Sequence, residues 1–259
     1  MNGTFIRLQG EFTDLTIPKL YRDKVITAGT KYCYDAKDPF SYLKQVAPVV
    51  GVDTWKNLLD DGPAATFSGA LGFNEGFTVV GPLNDFITLP VSGVAAANAD
   101  GFVAIIWIKL GTSTGGAAVF AAASGYSPTN CQYTLTYSGG ELRSHIGGWQ
   151  STVVPKDYDP NAIVQLAMSM KKRSSDGKYD LKAFKNGVLW SSNVSVFTEI
   201  PQPVGEAYKA PTIGSGPAYA AINWQGTIYR TLFDDCSIKT AEELVALDYA
   251  ENHRRIAGV

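Results

Sequence analysis

The chain has 259 residues, of which 45% are hydrophobic and 18% are charged, and its formal net charge is −2. This hydrophobic share is too high for a disordered chain and predicts a soluble globular protein with a sizeable packed core. The near-neutral charge argues against nucleic acid as a partner, because phosphate binding needs a clustered excess of Lys and Arg.

The first residues carry no basic segment followed by an apolar run, so we expect no secretory signal. No stretch approaches the roughly 18 apolar residues of a membrane span, so we expect no membrane partner.

The three cysteines, Cys33, Cys131 and Cys236, are widely spaced and odd in number. This pattern is typical of buried free thiols rather than of a disulfide framework or a zinc site.

Short runs rich in β-branched and aromatic residues, separated by turn-forming residues, predict an all-β chain. The run at 102–109 is apolar on both faces, as expected of a central strand that is buried on both sides. A Gly-rich connection between 132–137 and 141–145 indicates a hairpin. The remaining predicted strands are 85–90, 163–171 and 179–184.

Two local signals near the end of the chain are more specific. Asn186-Gly187 lies between two apolar runs and predicts a type I′ hairpin turn, which needs positive φ at both residues. Thr240 and Glu243 form a capping box ahead of an apolar stripe and predict one C-terminal helix. We expect this helix to pack on one edge of a β-sandwich.

Several short motifs, taken in chain order, carry a family resemblance. They are the strand ending in Asp at 32–39, the Trp-x-x-Leu turn at 54–60, the aromatic-rich strand ending at Pro at 85–90 and the strand with a Trp near its end at 102–109. The later ones are the hairpin at 181–187, with Phe184 where a Tyr is usual, and the closing segments 213–214 and 226–235 before the helix. Together they resemble the concanavalin A-like jelly roll of the laminin-G-like type, which occurs in phage virion proteins and in extracellular bacterial modules. The resemblance implies one jelly-roll β-sandwich over residues 29–259 with a short C-terminal helix.

Residues 1–28 lie outside the resemblance and form a predicted N-terminal extension. This segment holds too many apolar side chains for a solvated tail. Two interpretations remain open. The segment is either an assembly arm that covers a neighbouring subunit or another virion protein, or a strand added to its own sandwich.

The sequence offers little for catalysis, and we expect no enzyme. Hydrolytic relatives of this fold carry a Glu-x-Asp-x-Glu strand, which is absent here, and the adjacent pairs Asp234-Asp235 and Glu242-Glu243 point apart. We also expect no cofactor. Calcium is the ion that the resemblance leaves open, with Asp85 and Asp235 as side-chain ligands if their strand ends meet.

Sugar-binding modules of this type stack aromatic rings on pyranose faces. Four large rings fall in predicted loops and are the glycan-binding candidates: Tyr126, Trp149, Tyr158 and Tyr219. Trp107, Trp190 and Trp224 fall in strand-like runs and are predicted to lie in the core.

The resemblance, the absence of an export signal and the free thiols favour a non-catalytic virion structural or adhesion protein, such as a phage tail, fibre or capsid-decoration component. Its partners would be other virion proteins and further copies of itself, after assembly in the host cytoplasm. The first alternative is a carbohydrate-binding module of a cell-surface or secreted protein that binds a surface glycan. The second is a degenerate glycoside hydrolase.

Overall fold

A computed structural model describes residues 23–79, 85–114, 117–124, 129–138, 140–155, 158–205, 209–214 and 223–258. Within these ranges the chain forms two antiparallel sheets, a short 3-10 turn and an α-helix, so the all-β prediction is confirmed. No helix in this part of the chain is long and apolar enough to cross a membrane.

The first sheet has the strand order β14-β13-β12-β7-β16-β5-β4, with β1 also paired to β16. Its strands are β1 (Thr30–Asp35), β4 (Gly72–Phe73), β5 (Phe77–Val79), β7 (Gly101–Thr114), β12 (Ile163–Lys172), β13 (Tyr179–Lys185), β14 (Val188–Val194) and β16 (Asn223–Asp234). The outermost strands of this sheet are therefore β14 on one side and β4 on the other.

The second sheet has the order β11-β10-β9-β8-β15-β6-β3-β2. Its strands are β2 (Thr54–Trp55), β3 (Ala65–Ser68), β6 (Phe86–Thr88), β8 (Ala117–Ala123), β9 (Cys131–Ser138), β10 (Glu141–Ile146), β11 (Trp149–Val154) and β15 (Thr212–Gly214). The predicted hairpin corresponds to β9 and β10, and a 3-10 turn, Val91–Gly93, follows β6.

β7 is the central strand of the first sheet, as its sequence predicts. It pairs with β12 on one side and β16 on the other, and both of its faces are buried. Phe102, Ala104 and Ile106 point into the core between the sheets. The alternate residues, Val103, Ile105 and Trp107, face the opposite way into a second core.

This second core lies under the helix α1 (Ala241–Ala257), which covers the outer face of the first sheet. The prediction that the helix packs on an edge of the sandwich is therefore wrong. The physical reason is the apolar outer face of β7 and its neighbours, which needs a cover that is larger than an edge contact. Leu244, Val245 and Ile256 supply the apolar side of that cover.

The helix also buries polar side chains against the sheet. Arg230 of β16 has no exposed surface, and its guanidinium donates to Asp248 of α1 at 2.8 Å and to Asp23 at 2.8 Å. It also donates to Asp35 of β1 at 3.1 Å, and Arg255 of the helix donates to the same carboxylate. We call these five residues the Arg230 cluster. It links the helix, the first strand and the segment before that strand to β16.

Residues 23–28 belong to the packed unit, although the sequence assigns them to the extension. Val25 and Ile26 are buried in the core under the helix, and Thr27 donates its hydroxyl to Asp234 at 2.7 Å. The boundary predicted after residue 28 therefore separates this segment from the sandwich against which it packs. The other part of the predicted extension, residues 1–22, lies outside the described residues.

The three cysteines are buried free thiols, as predicted. Burial raises the pKa of Cys131 and of Cys236 to about 12, and it raises that of Cys33 as well. All three therefore stay protonated at neutral pH and behave as small apolar side chains.

Replacing Thr240 with Ala should lower the free energy of unfolding by about 0.5–2 kcal/mol, because an N-cap is lost. The Thr240 hydroxyl accepts from the Glu243 amide at 3.2 Å, and the Glu243 carboxylate accepts from the Thr240 amide at 2.8 Å. Urea denaturation measures the effect, with Ser174→Ala, at an exposed turn position, as a control. Equal stability of the two variants would contradict a stabilising role for this cap.

Asp35→Asn should cost about 3–5 kcal/mol at pH 7, because it leaves the buried Arg230 short of a counter-charge. Burial would raise the pKa of Asp35, but the hydrogen bonds and charges of Arg255 and Arg230 outweigh it and hold that pKa below its usual value. The unfolded pKa is about 3.9, so the stabilisation is complete above about pH 4 and is lost as the pH falls through the lower folded value.

The measurement is urea denaturation from pH 2 to pH 7, with the exposed Asp60→Asn as the matched control. The wild type and the control should lose stability steeply below pH 4, and Asp35→Asn should lose less over that interval. An equally steep loss in Asp35→Asn would show that other carboxylates cause the acid sensitivity.

Candidate functional site

The two sheets come together at the edge where their outermost strands, β11 and β14, face each other. The hydroxyls of Ser151 and Ser191 lie 2.6 Å apart across this gap, and the indole N–H of Trp190 donates to the Thr152 carbonyl at 2.9 Å. These bonds join the edges of two different sheets and hold the side of the sandwich closed.

An aromatic–lysine cluster, formed by Tyr158, Lys185 and Trp190, lies at this edge. The Lys185 ammonium lies 4.3 Å from the centre of the Tyr158 ring and 4.7 Å from that of the Trp190 ring. Both distances suit cation–π contacts. Trp190 nevertheless keeps 48% of its surface exposed, so much of a large, rigid ring is open to a ligand.

Trp190 is exposed because β14 is an edge strand, in which six of the seven residues are exposed, and a β-bulge sets the direction of its side chain. In the pairing of β13 with β14, Ala183 is opposite Ser191 and Phe184 is opposite Leu189, so Trp190 is an extra residue in a β-bulge. A bulge redirects the side chain and interrupts the strict alternation of the strand. The core position predicted for Trp190 is therefore wrong, whereas Trp107 and Trp224 are fully buried as predicted.

The tight turn of this hairpin is the one predicted from Asn186-Gly187. Both residues have positive φ, 50° at Asn186 and 82° at Gly187. Gln165 of β12 accepts from the Gly187 amide at 2.8 Å and donates to Asp248 at 2.8 Å. The turn that positions the cluster is thus hydrogen-bonded, through one side chain, to the Arg230 cluster.

The electrostatics of the aromatic–lysine cluster favour an anionic or polar ligand. Partial burial lowers the pKa of Lys185, because the ammonium loses hydration beside the two rings. No carboxylate lies within ion-pair distance of Lys185 in the described ranges. The cluster therefore combines a cation, an open indole ring and nearby hydroxyls, which can stack on a sugar ring and hydrogen-bond to its oxygens.

Of the other predicted sugar-binding rings, Trp149 does not join Tyr158. Trp149 lies three residues before Thr152 on β11, about 10 Å along the strand, and it is half-buried against the core between the sheets. Tyr126 and Tyr219 lie outside the described residues. Tyr158 was predicted as a candidate because it falls in a loop. Lys185 and Trp190 were not predicted, because residues within strands are expected to lie in the core.

The two predicted calcium ligands have other partners. Asp85 is buried and accepts from the Ala70 amide at 2.7 Å, whereas Asp235 forms an ion pair with Lys31 at 2.6 Å. No group of three or more His, Cys, Asp or Glu side chains in the described ranges could hold a metal ion.

Asp85 and Asp235 also lie at opposite ends of the sandwich. Asp85 adjoins Val79, and Val79 pairs with Gly226 near the start of β16. Asp235 follows the end of that strand, about 25–30 Å away at the usual rise per residue. The two strand ends therefore do not meet, which was the condition for a calcium site shared by Asp85 and Asp235.

His145 and the carboxylates of the Arg230 cluster, which are candidate acids or bases, already have hydrogen-bond partners. Burial lowers the pKa of His145 to about 4, so its ring is neutral at physiological pH, and it hydrogen-bonds to Thr136 at 3.0 Å. The close carboxylates of the Arg230 cluster all accept hydrogen bonds from arginine.

No family model matches the chain, and no curated protein sequence matches it. Solved structures do resemble it. A Trypanosoma rangeli sialidase in complex with 2,3-difluorosialic acid has a TM-score of 0.58 and 11% identity, covering 87% of this chain and 33% of the enzyme. The fold is a jelly-roll β-sandwich.

Two botulinum neurotoxin structures have the same jelly-roll likeness. One is neurotoxin type C, whose cell entry is described as dependent on interaction with two ganglioside molecules. Its TM-score is 0.53 at 11% identity, and the match covers 80% of this chain and 50% of that chain. The other is the binding domain of neurotoxin DC in complex with SialylT. Its TM-score is 0.51 at 9% identity, and the match covers 86% of this chain and 52% of that chain. The chain thus spans a third to about half of these proteins.

Gly187→Val should lower the free energy of unfolding by more than the roughly 1–2 kcal/mol that a left-handed backbone costs a residue with a side chain. An added Cβ would also lie 3.0 Å from Tyr249 of the helix, so the variant crowds the turn against α1. Gly177→Val is a matched control, since its φ is 72° and no atom lies within 4 Å of an added Cβ. Thermal or urea denaturation of both variants measures the difference, and an equal loss would exclude the Tyr249 contact as a cause.

Proposed function

We propose that the protein is a non-catalytic carbohydrate-binding module and that the aromatic–lysine cluster is its glycan platform. The observation that carries the proposal is the half-exposed Trp190 ring beside the Lys185 ammonium at the joined edges of the sandwich. An apolar ring can cover the C–H face of a pyranose, while neighbouring polar groups bind its hydroxyl or carboxylate oxygens.

Rigid placement supports this role. The Trp190 indole is fixed by its bond to Thr152, and the Lys185 ammonium is held between two rings. A ring and a cation that are already ordered lose little conformational entropy when a ligand binds. Such an arrangement therefore favours binding, and nothing in it supplies a paired acid and nucleophile for hydrolysis.

The jelly-roll neighbours are consistent with the same role. The neurotoxin C structure is described by its interaction with gangliosides, and the sialidase and neurotoxin DC structures hold a sialic acid derivative and SialylT. A sialylated glycan carries a carboxylate, and the Lys185 ammonium would pair with it. Acidic glycans are therefore the first ligands to test.

A second candidate function is the assembly role expected from the resemblance to virion proteins. The observation that favours it is the edge strand β14, which has no charged residue and exposes Val188, Leu189 and Val194. Edge strands usually carry charges that prevent pairing with another chain. A virion location and virion partners stay predictions of the resemblance.

A glycan array followed by calorimetric titration of the best ligand tests the glycan platform. Trp190→Ala should weaken binding at least tenfold, which corresponds to about 1.4 kcal/mol. Leu189→Ala is the matched control, because Leu189 is 50% exposed on the same strand and lies outside the cluster. The control should bind like the wild type.

Three results would count against the proposal. They are the absence of any array ligand, an equal loss in the Leu189→Ala control, or unchanged affinity in Trp190→Ala. If no glycan binds and light scattering gives a mass that rises with concentration, the assembly role is supported instead.

A further inference from the structure

A cavity of about 470 Å³ lies beside the N-terminus of α1, on the outer face of the first sheet. Its walls are the loop 236–239 and the first turn of the helix, and its floor comes from β12 and β13. This cavity is separate from the aromatic–lysine cluster, which lies at the edge facing the second sheet. Its volume is within the range of small-molecule sites.

The floor of this cavity contains a buried hydroxyl without a partner. Ser169 of β12 is 1% exposed, and among the described residues no group hydrogen-bonds to its Oγ atom. Ser169 lines the cavity. A buried polar group that is left unpaired costs stability, so its presence at the floor of a cavity points to a bound group that supplies the missing bond.

The helix start adds donors to the same cavity. Within the described ranges, the amides of Ala241 and Glu242 have no hydrogen-bond acceptor, because the Thr240 hydroxyl serves only the Glu243 amide. Free amides at a helix N-terminus, together with the helix dipole, favour a negatively charged group. α1 has 17 residues, so its dipole is fully developed.

The charges around the cavity also favour an anion. Lys171 and Lys239 line it, and neither forms an ion pair with a described carboxylate. The two acidic residues of the first turn are already engaged. Glu242 is paired with Lys182, and Glu243 accepts from the Thr240 amide and hydroxyl.

We propose that this cavity binds a small organic anion whose carboxylate or phosphate oxygens accept hydrogen bonds from Ser169 and from the free amides at the start of α1. Lys171 and Lys239 provide the counter-charge. The walls also include the apolar surfaces of Ile238 and Ala241, which suit an anion with a short apolar part. This site is independent of the proposed glycan platform.

Titration of isotope-labelled protein with inorganic phosphate and, separately, with butyrate tests the proposal by NMR. At least one probe should shift the amide signals of Ala241 and Glu242 in a saturable way. Tighter binding of butyrate would assign a carboxylate ligand, and tighter binding of phosphate would assign a phosphoryl group. Absence of saturable shifts with both probes would overturn the proposal.

Two variants separate binding from folding. Ser169→Ala should weaken binding of the probe at least tenfold while the melting temperature without the probe is unchanged or higher, because the lost hydroxyl has no partner. Lys239→Ala should also weaken binding, and Lys56→Ala, which removes an exposed charge elsewhere, should not. Equal weakening by Lys56→Ala, or unchanged binding in Ser169→Ala, would contradict the assignment.

Discussion

A single buried guanidinium determines how the layers of this protein fit together. Arg230 has no exposed surface, so its charge requires counter-charges from inside the fold. They come from three separate parts of the chain: Asp23 before the first strand, Asp35 within it and Asp248 on the helix. A shift of the helix by one turn would leave the buried charge without Asp248. The cluster therefore selects one position of the helix on a sheet whose apolar face alone would tolerate several.

The same interactions reach the edge of the sandwich where the aromatic–lysine cluster lies. Gln165 donates to Asp248 and accepts from the Gly187 amide, so it joins the helix to the hairpin turn. That hairpin carries Lys185 before the turn and Trp190 after it. A surface ring is thereby supported by a contiguous set of hydrogen bonds that ends in the protein interior. This support suits a binding site, since a ligand gains most from groups that are already in position.

The sequence predicted those features that depend on neighbouring residues. The two-faced apolar pattern of 102–109, the positive-φ pair Asn186-Gly187 and the Thr240 cap are all local signals, and the structure contains each of them. It could not predict the exposure of Trp190. The edge position of β14 and its bulge both depend on how strands pair, and neither changes the alternation of residues within the strand's own sequence. The burial of Arg230 was missed for a similar reason, since its partners lie about 20 to 200 residues away.

The pairing of the first described strand with the last has a consequence for synthesis of the protein. Thr30 of β1 lies opposite Asp234 of β16, and β7 also needs β16 to complete its ladder. Ribosomes add about 5–20 residues per second, so about 10–40 s separate the appearance of these two strands. During that interval the apolar face of β1 has no neighbour in its own sheet. The nascent chain must therefore remain soluble with an incomplete first sheet, and it is exposed to aggregation until β16 has been synthesised.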